Sequence, residues 1–186
     1  MKIADIYTKF NVPPNLQERM LRVCAIVYFL EKHWMGKEHI DWDFTKKIAL
    51  LHDVGNIVKF DLDANPEFLG GEKKNVELWK SIQKEMTAQY GSDDHGATQN
   101  MLTEIGAPEQ IIRTILDKCF GKSIEAEKSQ SWPLKILYYA DFRTLPFGIG
   151  TLEERLDDVR NRMPRYAGRP DFEDLIEACR KIERHV

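Results

Sequence analysis

The sequence predicts an all-α fold, a single-domain helical bundle, on three observations. Apolar residues recur at helical spacing along most of the chain, no stretch alternates at period two, and a length of 186 residues suits one well-packed core. No internal repeat or low-complexity segment interrupts the pattern. The expected organisation is one domain over residues 1–186, with a core over about 15–162 and a C-terminal helix over 171–185.

After a short first turn, Pro13-Pro14-Asn15 starts a long amphipathic helix that runs to about Trp34, with Leu16, Met20, Val23, Val27 and Leu30 on one stripe. Arg19 stands at the edge of that stripe, where an arginine lays its stem on apolar surface and carries its head to water. Gly36 breaks the pattern, and Asp41 or Asp43 caps the next helix. Its stripe reads Phe44, Ile48, Leu51, His52 and Gly55, so a histidine shares a face with core residues. Asp61 to Gly71, with Pro66, Gly70 and Gly71, reads as a surface loop placed to be a lid, a substrate contact or a plain connector.

A charged helix is expected from Glu72 to Tyr90. Ser92, Asp93 and Asp94 then cap a helix that carries His95, Thr98, Leu102 and Ile105 on one face. Gly106 ends it, and Pro108 starts another, buried along Ile111, Ile112, Ile115, Leu116 and Cys119. Trp132-Pro133 opens a helix on which Leu134, Leu137, Tyr138 and Asp141 share a stripe. Pro146, Gly148 and Gly150 make a turn, and two further helices follow, one on Leu152, Leu156, Val159 and Met163, the last on Phe172, Leu175, Ile176, Cys179 and Ile182.

A net charge of -3 argues against a general nucleic-acid coat, so DNA is not an expected partner. The run Arg160, Arg162, Arg165, Arg169 reads as a solvated helix end and loop. Cys24, Cys119 and Cys179 are scattered and odd in number, which suits reduced thiols, and neither a signal-peptide core nor a membrane-length apolar run is present. A cytoplasmic location without membrane attachment is the expectation. Trp34, Trp42 and Trp79 are expected at the surface, where they would serve a homodimer.

Polar residues on inward stripes carry the functional reading. A histidine among core residues is more often hydrogen-bonded than a ligand, but Asp53 beside His52, His95 on a second helix and Asp141 on a third each need a partner if buried. Imidazole and carboxylate donors converging from several helices are how bundles build sites for Mn, Fe, Co, Zn or Mg. An arginine such as Arg19 or Arg143 would equally neutralise Asp141.

The LLHDVGN stretch, the histidine in a later helix and the aspartate of YYADFR together resemble the HD-domain superfamily of metal-dependent phosphohydrolases, over about Asn15 to Arg162. The resemblance implies an all-helical core and hydrolysis of a phosphoester, of a nucleotide or a related small phosphorylated compound. It implies His52, Asp53 and Asp141 as ligands of a divalent metal (Mn, Fe, Co, Ni, Zn or Mg) and His52 and Asp53 as catalytic. His95 would be a further ligand or a phosphate contact, with Arg19 and Arg143 on the substrate side.

Two departures stand out. Family members usually begin an H-x-x-R-V pattern on the first long helix, and this chain has Arg19-Met20-Leu21-Arg22-Val23 there. Arginine stays protonated and has no lone pair to donate, so one ligand is replaced by a positive charge. Asn56 stands where relatives often carry lysine or a carboxylate. Either the remaining residues hold the metal and Arg19 grips the substrate phosphate, or Arg19 pairs with Asp53 or Asp141 and the chain is a catalytically silent relative that binds a nucleotide or a protein. A purely structural helical module, the third reading, would have no cavity at these residues.

Overall fold

The structure, a computed structural model, describes residues 1–162 and 164–186. Helix α1 (Ile3–Lys9) leads into α2 (Pro14–His33), whose Leu16, Met20, Val23 and Val27 are buried as their spacing predicts. Each such side chain contributes about 1.5–3 kcal/mol over an exposed one. Helix α3 (Trp42–Leu51) packs along α2, and its Asp41 cap accepts a hydrogen bond from the Phe44 amide at 2.9 Å. The sequence left Asp41 and Asp43 open as caps, and this contact decides for Asp41.

The remaining helices are α4 (Val76–Tyr90), α5 (Asp94–Glu104), α6 (Glu109–Asp117), α7 (Ser123–Lys128), α8 (Trp132–Phe142), α9 (Leu152–Arg162), α10 (Pro164–Ala167) and α11 (Phe172–His185). The fold is an all-α bundle. Its only strands among the described residues are an antiparallel pair, β1 (Thr144–Leu145) with β2 (Gly148–Ile149), too short for any alternation to betray it. Among the described residues no helix is long and apolar enough to cross a membrane.

Several boundaries differ from the expected ones. The segment Pro66–Asn75 is wound into tight 3-10 turns, so α4 begins at Val76 rather than Glu72. Gly70 makes the kink with φ 58°, a left-handed value that favours glycine. Helix α6 ends at Asp117, leaving Cys119 beyond it in extended backbone. The short α7 has too few residues for a periodic signal. Met163 falls outside the described residues. Arg160 and Arg169 of the basic run pair with Asp157 and Asp171 at the surface, as the run's composition suggests.

The tryptophans require a correction. Trp79 is buried, and the half-buried Trp34 is edge-on to both Trp42 and Trp132 against the main apolar cluster, so these rings are less exposed than expected and pack within the chain. The large apolar side chains that do face water include Tyr28, Phe29 and Phe147.

The buried apolar residues form two clusters. One gathers α1 to α6, and the other gathers Phe120, Ala126 and the inner faces of α9 and α11. Helix α8 serves both: Ile136, Leu137 and Ala140 belong to the first, Leu134, Tyr138 and Phe142 to the second.

One position ties the motif turn to α5. A Cβ on Gly55 would lie 2.6 Å from the Thr98 amide nitrogen and hydroxyl, and the Gly55 amide already donates to that hydroxyl at 3.2 Å. Gly55→Ala is therefore expected to lower stability by about 1–3 kcal/mol, through overpacking against backbone that cannot step aside. Chemical denaturation checks it, and an unchanged midpoint would mean the turn relaxes freely.

Candidate functional site

Helix α3 ends at Leu51, and His52 and Asp53 lie in the turn just past it instead of within the helix. The His52 Nδ1 donates to the Ala49 carbonyl at 2.8 Å, since that oxygen can only accept. The Nε2 is thereby aimed inward, 3.3 Å from Asp53 Oδ2 and 3.4 Å from Asp141 Oδ1. Asp141 comes from the last turn of α8, only 2 % exposed at its side chain. Both carboxylates sit at helix C-termini, where the backbone dipole is negative, so each needs a cation more than its burial alone would require.

Arg19 and Lys118 supply those cations. One Arg19 nitrogen donates to Asp53 Oδ2 at 2.5 Å and lies 3.5 Å from His52 Nε2, while the other nitrogen donates to Asp141 Oδ1. Lys118 pairs with the second oxygen of Asp141. Two carboxylates thus face the side chains of Arg19 and Lys118, with the His52 imidazole beside them. Burial alone would raise the Asp141 carboxyl, but Arg19, Lys118 and His52 hold it well below the usual range. Asp53 behaves alike, burial opposing and His52, Lys118 and Arg19 prevailing. Burial would lower His52, yet Asp53 and Asp141 raise it. The same two acids raise Arg19 against its desolvation.

The three residues expected to hold a metal do meet: one donor atom from each of His52, Asp53 and Asp141 lies within 4.8 Å of the others. An ion could span that distance. Its place, however, is crossed by the Arg19 fork, which engages an oxygen of each carboxylate, while Lys118 takes the second Asp141 oxygen. As arranged, the donors do not fit a divalent ion unless Arg19 turns away. Arg19 is thus drawn into the cluster, where the sequence alone also allowed it to reach for water.

These groups lie in a cavity of about 490 Å³, within the general range of small-molecule sites. Cationic side chains of Arg19, Lys59, Lys118 and Arg155 line it, with Lys59 paired to Asp94 at 2.5 Å and Arg155 to Asp158. Phe60 and Phe68 flank one side, and Phe120, Phe142, Phe147 and Tyr166 contribute further rings, Tyr166 standing edge-on to Phe120 at 5.1 Å. Asp61, Asn65 and Phe68 come from the segment expected to be a loop, so that segment contributes to the cavity wall. Asn56 is buried and also lines the cavity.

His95 lines the same cavity but is not part of the His52, Asp53 and Asp141 group; it stands beside Cys119. Arg143 is a correction. It is not a lining residue: its Nε donates to the Gly150 carbonyl at 2.7 Å and a guanidinium nitrogen to the Tyr139 hydroxyl at 3.3 Å, which secures the hairpin. Two residues along a helix turn the side chain by about 200°, so Arg143 faces away when Asp141 faces in. Lys118 is the residue that sequence reasoning missed. A signal was present, because Ile111, Ile115 and Lys118 follow the four-three helical step. Arg22 has a structural part, donating to the Pro146 carbonyl at 2.9 Å and joining α2 to the hairpin turn.

In comparisons with known proteins, no family model, no curated protein and no solved structure matches the chain.

Proposed function

We propose that the chain is a relative of the HD-domain superfamily whose cavity binds a small phosphorylated compound around a built-in cation, Arg19, in the place where relatives hold a metal. The observation that carries this reading is the Arg19 fork bridging Asp53 and Asp141, with Lys118 beside them. A guanidinium is permanently charged, planar and weakly hydrated, so it replaces an ion's charge while keeping donors that match phosphate oxygens. The aromatic side chains around the cavity suit a planar organic group such as a nucleobase. In this reading the chain is catalytically silent, because a guanidinium engaged with both carboxylates has no open coordination position at which to activate water.

A second reading is favoured by the 4.8 Å span of the three donor atoms. Were Arg19 to swing onto a substrate phosphate, His52, Asp53 and Asp141 would be left for a divalent ion, and a metal-dependent phosphohydrolase acting on a phosphoester would result. The ion would supply a more acidic bound water, while the chain's own Arg19 and Lys118 would orient the phosphate.

Metal analysis of the purified protein, followed by thermal melting with nucleoside monophosphates and a phosphatase screen with Mn, Co, Ni and Mg, separates the two. The expected result is no stoichiometric ion, a melting point indifferent to chelator, no turnover, and a rise in melting point with a phosphorylated ligand. At a ligand concentration of 100 times the dissociation constant the stabilisation is about 2.7 kcal/mol. A bound ion with turnover abolished by Asp53→Ala would overturn the metal-free reading in favour of the hydrolase. No ion, no turnover and no ligand response would leave the structural module.

A further inference from the structure

Helix α2 buries Leu16, Met20, Val23 and Val27 on one side and turns a second strip to water. At about 100° per residue, Glu18, Leu21, Ala25, Tyr28 and Lys32 follow the three-four-three-four step and lie opposite the buried stripe. Phe29 stands beside this seam. Leu21, Tyr28 and Phe29 are 51 %, 54 % and 60 % exposed, and Ala25 among them is exposed too. The rings are already held in place. Phe29 stacks on His33 at 4.2 Å, His33 Nδ1 donates to the Phe29 carbonyl at 2.8 Å, and Lys32 stands over the Tyr28 ring at 5.1 Å. Aromatic side chains fixed in this way lose little freedom when they are covered.

The order of residues along the seam says what covers it. A negative Glu18 opens it and a positive Lys32 closes it, with the small Ala25 midway, seven residues from each. Turned end for end about Ala25, the strip matches itself. Glu18 then meets Lys32, Leu21 meets Phe29, Tyr28 covers the stem of Arg22, and Ala25 meets Ala25, where the lack of bulk lets two backbones approach. A parallel pairing would instead set Glu18 on Glu18 and Lys32 on Lys32. Within one copy Glu18 meets Arg22 at 3.7 Å and Lys32 lies over a ring, so both end charges are open to a second partner.

We propose that this face of α2 is the contact of a symmetric homodimer, in which α2 packs antiparallel on α2 of a second copy about a two-fold axis at Ala25. A two-fold contact uses the same patch twice, so one self-complementary strip is sufficient and each end pair forms twice. Overlap from Gln17 to His33 gives about 25 Å of paired helix. That is at the small end of specific interfaces, so monomer and dimer exchange instead of forming a permanent pair. Arg19 is turned about 120° from the seam, toward the cavity, and the dimer does not depend on what the cavity binds.

Sedimentation velocity of the full chain over about 1 μM to 1 mM tests this, and a reversible monomer–dimer equilibrium is expected within that range. Phe29→Glu, a change at an exposed position, should weaken dimerisation by at least about 100-fold with the circular dichroism spectrum unchanged, because two rings are lost and two carboxylates are set against Leu21. Glu18→Lys and Lys32→Glu should each weaken it by about 3- to 30-fold, since both end pairs become like-charged, and the two together should restore it. A chain that is monomeric throughout, a dimer indifferent to Phe29→Glu, or charge reversals that weaken it without restoring one another would overturn the proposal.

Discussion

Arg19→His is expected to bind a divalent metal far more tightly than the parent does. The substitution removes the fork that bridges Asp53 and Asp141 and puts an imidazole on α2 in its place, facing His52 Nε2 and the two carboxylates. The new set of two imidazoles and two carboxylates matches what Mn, Fe, Co and Zn take from helical bundles. Loss of a single outer contact lowers metal affinity by about 10- to 100-fold, so exchanging a resident cation for a ligand should tighten binding by at least that much. Calorimetric titration with Mn or Co reads the effect, and a phosphatase screen on the loaded variant shows whether turnover appears with it. Equal affinity in the parent would mean that Arg19 leaves the cluster easily, and the built-in cation would cease to be an explanation.

Asp141→Ala should produce the largest loss of stability of any single change in the cavity. It leaves Arg19 and Lys118, each 14 % exposed at the side chain, facing one another without their shared counter-ion. Removing one partner of a buried ion pair is destabilising by about 3–5 kcal/mol, chiefly because the remaining charge is stranded in low dielectric. For a chain of this length that is a fall in melting temperature of about 10 °C. Thermal denaturation checks it, and adding Lys118→Met should recover part of the loss, since Arg19 keeps Asp53 while the stranded charge of Lys118 goes. A drop of less than about 1 kcal/mol would show both cations reaching water instead.

Much of this was legible in the sequence because burial imposes a period. The stripes of α2, α3, α5 and α8 give the helices, and a carboxylate on the stripe of α8 already demands a cation. What the period could not give was which cation. Arg19 and Arg143 were equal candidates for Asp141 until the backbone placed Arg143 against Gly150, and Lys118, though in step with Ile111 and Ile115, reads from the sequence as an ordinary charge at a helix end. The tryptophans were misjudged because a large ring at the edge of a stripe carries no mark of which neighbour will cover it. The short β pair and α7 lie below the length at which periodicity can speak.

Helix α8 is a party wall between two apolar rooms, and Asp141 is fixed in its last course. Anything that loosens the C-terminal room, even at α11, which contributes no residue to the cavity, shifts the wall on which the buried acid stands. A ligand that gripped Asp141 would therefore steady the last helix by the same free energy with which that helix favours the ligand.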